Sequence, residues 1–184
     1  MIAPYTESRK MMRALIVYES MFGNTAAVTE AVAAGLRPHV EVIMCPVAVA
    51  ASKPAPQVDL LVVGAPTHAF GLSRAATRRD AADRTDAPVE IGVGVREWLD
   101  AALPLPAARF AAAFGTKIAR PPWLPGSAAK GIGNRLRRLG YELVVPPADF
   151  YVDGMTGPLR TGELARATRW AAQLATTRSA LPAN

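Results

Sequence analysis

The sequence predicts an α/β domain: a three-layer, doubly wound sheet of five parallel strands with helices on both faces. Two observations carry this prediction. Short, largely apolar runs recur at Arg13–Tyr18, Val40–Met44, Asp59–Ala65, Arg109–Phe114 and Tyr141–Val145. Segments with helical spacing of apolar residues lie between them, and strands that alternate with helices pair in parallel. A chain of 184 residues, 51% of them hydrophobic, can bury one such core.

The elements follow in order. Residues 1–12 carry no apolar signal core and read as a disordered extension. Residues 13–178 form the domain, and 179–184 a tail. The first strand stops at Tyr18 and a helix begins near Asn24, burying Val28, Val32 and Leu36 at four-residue spacing. The second strand leads to Cys45, which reads as a buried structural thiol. The third is the continuous apolar run Leu60 to Ala65, expected of a strand covered on both faces. Residues 73–103 exceed a simple crossover and predict two helices, Ser73–Arg84 and Val95–Leu103, around a Pro/Gly loop at Ala87–Gly94. The fourth strand is expected to end at Phe114. A helix from Ser127 turns Ile132, Leu136 and Leu139 inward and stops at Gly140. The fifth strand is broken by Pro146-Pro147 and resumes as Asp149–Val152. The last helix has Thr161 as N-cap and buries Leu164, Ala167, Ala171 and Leu174.

The richest segment is the turn Glu19-Ser20-Met21-Phe22-Gly23-Asn24-Thr25, between a strand and a helix N-terminus. The first helical N–H groups have no partner within the helix, and its dipole puts partial positive charge there. With Ser20 and Thr25 and the N–H groups of Met21 to Ala26, such a turn can hold a phosphate without Lys or Arg. The same residues also suit an ordinary turn capped by Asn24 or Thr25. A nucleotide-binding G-x-x-x-x-G-K-[ST] loop is excluded, because Gly23-Asn24-Thr25 contains no Lys. A G-x-G-x-x-G fingerprint is excluded because Gly23 stands alone.

Ser20-Met21-Phe22-Gly23-Asn24-Thr25 resembles the [ST]-x-[ST]-G-[NT]-T loop of flavodoxin-like proteins, departing from it where Phe22 replaces a hydroxyl residue. The resemblance implies that Ser20, Met21, Phe22, Gly23, Asn24, Thr25 and Ala26 hold the phosphate of FMN. It also implies the strand order 2-1-3-4-5. The string Gly64-Ala65-Pro66-Thr67-His68-Ala69-Phe70-Gly71 is similar to the family's second flavin loop. Pro66, Thr67, His68, Ala69, Phe70 and Gly71 are then expected beside the isoalloxazine ring, with Gly71 supplying a positive φ or a close backbone approach. Taken alone, His68 reads better as a capping or structural histidine. The expected third loop begins at Gly115, Thr116 and Lys117 and includes Trp123, which would either stack on the ring or cover the core edge. All three loops leave the carboxyl ends of strands. In this strand order they meet where strand order reverses, which is where doubly wound sheets bind ligands.

Charge sets further expectations. The formal net charge is +6. Lys117 and Arg120 near a flavin would stabilise its anionic reduced form by about 2–4 kcal/mol, on the order of 100 mV. A basic carrier suits an acidic redox partner protein. The arginines of Arg135-Leu136-Arg137-Arg138 read as a solvated helix face. Nucleic-acid binding is not expected, since Arg74, Arg78, Arg79 and Arg84 alternate with Asp80 and Asp83 and no aromatic accompanies them. No membrane span, disulfide or metal cluster is expected, and a cytoplasmic location follows. Ser20 and Ser73 lack a His–Asp partnership, so the chemistry falls to a cofactor. The expected function is electron transfer by an FMN-binding protein with no catalytic residue of its own. Two alternatives stand beside it: an NAD(P)H-dependent FMN oxidoreductase of quinone reductase type, and a flavodoxin-fold binding protein that has lost FMN. Oligomeric state is not legible.

Overall fold

A computed structural model of the chain describes residues 11–53, 56–86, 88–107, 109–119 and 126–181. Among the described residues, six strands and six helices follow in order: β1 Arg13–Tyr18, α1 Asn24–Leu36, β2 Glu41–Pro46, α2 Val47–Ser52, β3 Leu60–Pro66, α3 Ala75–Ala82, α4 Val95–Asp100, β4 Arg109–Ile118, α5 Ala128–Arg138, β5 Tyr141–Leu143, β6 Ala148–Val152 and α6 Glu163–Ser179. The strands form one parallel sheet in the order β2-β1-β3-β4-β5, and β6 also pairs with β4.

Alternation along the strands builds the two cores. Ala14 and Ile16 of β1, Leu60 and Val62 of β3, and Phe110, Ala112 and Phe114 of β4 face α1 and α6. Leu15 and Val17, Leu61, Val63 and Ala65, and Ala111 and Ala113 face α2, α4 and α5. This period-two division puts each strand residue into one of two helical layers. Val28, Val32, Leu36, Ile132 and Leu136 are fully buried, as their spacing predicts. α1 and α6 come so close that a Cβ at Gly35 would strike the Thr168 carbonyl and the Ala171 methyl.

The fifth strand position is shared by two pieces, in keeping with the expected break at Pro146-Pro147: β5 pairs with Arg109–Ala111, and β6 with Phe114–Ile118. Other details differ from the sequence expectation. With a partner along that second stretch, β4 runs on to Ile118, so Gly115, Thr116 and Lys117 are strand residues rather than loop residues. The helix α2 was not legible, because six residues are too few to show a helical period. In α6, Gly162 at φ 87° takes the capping position expected of Thr161. Glu163 turns inward to accept the Tyr151 N–H at 2.7 Å, which leaves Leu164 45% exposed. The helices of residues 73–103 are shorter than expected, and Leu103 lies beyond α4 in solvent. Met12 already takes part in the fold, its carbonyl accepting the Glu41 N–H at 2.9 Å.

Candidate functional site

Three segments at the carboxyl ends of β1, β3 and β4 meet at one cleft of about 220 Å³. The turn after β1 contributes Met21, Phe22, Asn24 and Thr25, and the segment after β3 contributes Pro66, Thr67, His68 and Ala69. Thr116, Lys117 and Ile118 come from the end of β4. Two further walls were not foreseen: Thr77, Asp80, Ala81 and Arg84 of α3 and the turn after it, and Val152 and Met155 at and beyond the end of β6.

The phosphate-type turn is ordered by its own hydrogen bonds. Gly23 sits at φ 82°, a left-handed conformation suited to glycine, and space in front of it is open. Ser20 Oγ accepts the Ala26 N–H at 3.1 Å, and the Gly23 carbonyl accepts the Ala27 N–H at 2.9 Å. Among the described residues, the N–H groups of Phe22, Gly23, Asn24 and Thr25 meet no acceptor. The donor set is therefore intact although Phe22 has replaced a hydroxyl. Ser20, Gly23 and Ala26 do not line this cleft; they border a separate hollow shared with Tyr18 and Val47. The side chains of Asn24 and Thr25 are already engaged. Asn24 Nδ2 donates to the Thr156 carbonyl at 2.8 Å, and Thr25 Oγ1 lies 2.8 Å from Thr116 Oγ1 in a buried contact.

The second loop closes differently from expectation. His68 and Gly71 exchange two backbone hydrogen bonds at 2.8 and 2.9 Å, closing a two-residue turn. The residues at positive φ are Ala69 (43°) and Phe70 (73°), and not Gly71. Both central residues of a type I′ turn need that conformation, which costs an L-residue about 1–2 kcal/mol. Gly126 packs its backbone against Phe70, where a Cβ would approach Phe70 Cα to 2.7 Å. Phe70 itself is 57% exposed. Thr67 ties the loop down: its N–H donates to the Thr116 carbonyl at 2.7 Å, and its Oγ1 accepts the Ala128 N–H at 3.0 Å. Burial, and then the charge of Arg78, holds the His68 imidazole below its ordinary pKa, so it is neutral at pH 7.

The third segment divides. Thr116 and Lys117 reach the cleft. Gly115 lies within the sheet, where a Cβ would meet the Ala129 backbone nitrogen at 2.9 Å, so its place is structural. Trp123 and Arg120 lie outside the described residues. Lys117 is not an isolated cation: its Nζ lies 3.5 Å from Asp149 Oδ2 and donates to the Gly126 carbonyl at 3.0 Å. The carboxylate largely offsets the charge that Lys117 was expected to direct at a flavin.

One cluster beside the cleft escaped the sequence reading. Arg78, which the sequence groups with Arg74, Arg79 and Arg84 between acidic residues, is 0% exposed. Its guanidinium donates to Ser73 Oγ and Glu97 Oε2 at 3.0 Å each, and to the carbonyls of Ile91 at 3.0 Å and Gly92 at 3.3 Å. Ser73 Oγ in turn donates to Glu19 Oε1 at 2.5 Å, and Glu19 Oε2 accepts the Val95 N–H at 2.8 Å. Burial pushes the Glu19 carboxyl above its ordinary pKa against the pull of these partners. An acidic residue directly after a buried strand is the signal that sequence offered for this cluster.

Among the described residues, no group of three His, Cys, Asp or Glu side chains could hold a metal, and no helix is long and apolar enough to cross a membrane. Cys45 is free and half-buried. No family model matches the chain, and no curated protein matches it. Solved structures do. The chain is similar to oxidised flavodoxin 2 from Bacillus cereus, with 18% identity and a TM-score of 0.63 over 89% of this chain and 98% of that one. It is similar to a flavodoxin from the domain Archaea, with 19% identity and a TM-score of 0.57 over 91% and 99%. A flavone reductase matches with 12% identity and a TM-score of 0.53; the match covers 91% of this chain and 63% of that one. By strand order, layering and this likeness, the chain has the flavodoxin-like fold.

Proposed function

We propose that this protein binds FMN in the cleft and works in the cytoplasm as an electron-transfer protein with an acidic protein partner. The observation that carries the proposal is the convergence of three strand-end segments on one cleft beside a helix N-terminus whose N–H groups have no acceptor among the described residues. The phosphate would be held by the N–H groups from Phe22 to Thr25 in the turn ordered by Ser20, Gly23 and Ala26. Pro66, Thr67, His68 and Ala69 would flank the ring on one side, with Thr116 and Lys117 on the other. When bound, FMN supplies the redox chemistry. The chain supplies position and field. Neutral His68 and the Lys117–Asp149 pair put little net charge against the ring. The side chains of Ile118, Val152 and Met155 give the cleft an apolar stretch of wall. The net charge of +6 supports an acidic partner.

The test is an absorption spectrum of the purified protein, as isolated and after incubation with FMN and removal of the excess. Bound flavin absorbance supports the proposal. Its absence under both conditions refutes it and favours a flavodoxin fold put to another use. The enzyme alternative rests on the likeness to a flavone reductase. Rapid bleaching of bound flavin by NADH or NADPH alone would favour that alternative.

A further inference from the structure

We infer that Glu19 is a positioning residue: its buried carboxylate joins the phosphate-type turn to the α3 wall of the cleft, so that both hold one relative position. The inference rests on the flavin reading of the cleft and adds the device that keeps its two walls in register.

Glu19 is the first residue after β1, and its N–H still donates to the Gly64 carbonyl at 3.0 Å, so its backbone is fixed by the sheet. Ser20, the next residue, begins the turn. The Glu19 side chain is 4% exposed and reaches two separate elements. One oxygen accepts from Ser73, just before α3, and the other from the Val95 N–H, the first of α4. Glu19 therefore caps α4 from a distant part of the chain. Arg78, on α3, closes the circuit by donating to Ser73 and Glu97 and to the loop carbonyls of Ile91 and Gly92. Glu97 Oε2 also accepts the Gly94 N–H at 2.9 Å. Gly94 is enclosed by the cluster: a Cβ there would lie 2.5 Å from Arg78 Nη1 and 2.8 Å from Glu19 Oε2.

The consequence for the cleft is geometric. α3 is eight residues long, and few of its side chains are buried: Arg78 and Ala81. So small an apolar contact leaves its placement to the polar cluster. The residues next to Arg78 on the helix, Thr77 and Ala81, line the cleft together with Asp80 and Arg84. Removing the Glu19 carboxylate leaves Ser73 Oγ without its acceptor and the Val95 N–H buried without one. A network that loses one member in a buried setting loses its unique arrangement.

The experiment compares FMN affinity and amide hydrogen exchange in the wild type and in Glu19→Ala, Glu19→Gln and Leu174→Ala. The last is a core truncation on α6, destabilising but remote from the cluster. Glu19→Ala is expected to weaken FMN binding about tenfold or more. Glu19→Gln recovers part of the loss, since its amide can accept from Val95 and donate to Ser73. Leu174→Ala binds as wild type despite its lower Tm. FMN affinity in Glu19→Ala within twofold of wild type overturns the inference. If the wild type binds no FMN, the flavin reading fails on its own and exchange in the ligand-free protein decides. Faster exchange at both Phe22–Thr25 and Val95 in Glu19→Ala sustains the coupling, and acceleration at Val95 alone overturns it. Ser73→Ala, which removes one hydrogen-bonding group of the circuit, carries the same comparisons if Glu19→Ala does not fold.

Discussion

Thr25 and Thr116 make the contact most open to quantitative test. Their hydroxyls lie 2.8 Å apart, with the residues 2% and 4% exposed. Thr25→Val removes one hydroxyl and keeps the shape, leaving Thr116 Oγ1 buried without this partner. A buried polar group stripped of its partner costs about 1–3 kcal/mol, whereas removing both members of a pair is nearly neutral. Each single variant, Thr25→Val or Thr116→Val, should therefore lose about 1–3 kcal/mol in urea unfolding. At about 2–4 °C per kcal/mol for a chain of this size, Tm falls by roughly 2–12 °C. The double variant should recover to within about 1 kcal/mol of wild type, giving a coupling energy at least as large as either single loss. Losses that simply add would show that the two hydroxyls do not satisfy each other. Unchanged single variants would show that the contact is not buried in solution. The same cycle run on FMN affinity separates roles: a loss that persists in the double variant belongs to hydroxyl contact with ligand, not to the fold.

Four further outcomes are expected. Thr25→Asp sets a carboxylate at the phosphate turn and should abolish measurable FMN binding; unchanged affinity would remove the turn from the site. Ala69→Asn should raise Tm by up to a few degrees, because Asn tolerates the positive φ that strains Ala69, and a fall in Tm would contradict the turn geometry. Burial raises the Glu163 carboxyl, but Arg166, the Tyr151 N–H and Arg160 outweigh it and leave the pKa below its ordinary 4.5. Its stabilisation is therefore present above pH 4.5 and lost as pH falls through the lower folded value, so Glu163→Gln should flatten the acid limb of the stability curve. Glu19 runs the other way. Its folded pKa lies above 4.5, so its contribution is present below that pH and declines as pH rises, and Glu19→Gln should remove that decline. Urea titrations across pH 3–8 check both signs (roughly the window around these carboxyl groups).

The sheet order, the two helical layers and the identity of the cleft's three main segments were legible in the sequence. The layers and the segments depend on local signals: continuous apolar runs in β1 and β3, four-residue spacing in α1 and α5, and small polar turns where strands end; the sheet order follows from the resemblance of those turns to flavodoxin-like loops. Ile16 and Val17 had to face opposite layers whatever else the chain did. What the tertiary structure decided are matters of pairing. β4 continues through Gly115 to Lys117 because β6 offers it a partner, and no residue within that stretch announces this. Leu164 is exposed because Glu163 claims the inward direction toward Tyr151, a residue on another element. Lys117 loses its free charge to Asp149, and Arg78 lies wholly buried because Ser73, Glu97 and two loop carbonyls from a distant segment gather around it. A charged side chain leaves water only where enough partners meet it. Those partners are assembled by the fold, so sequence spacing alone reads such a residue as surface.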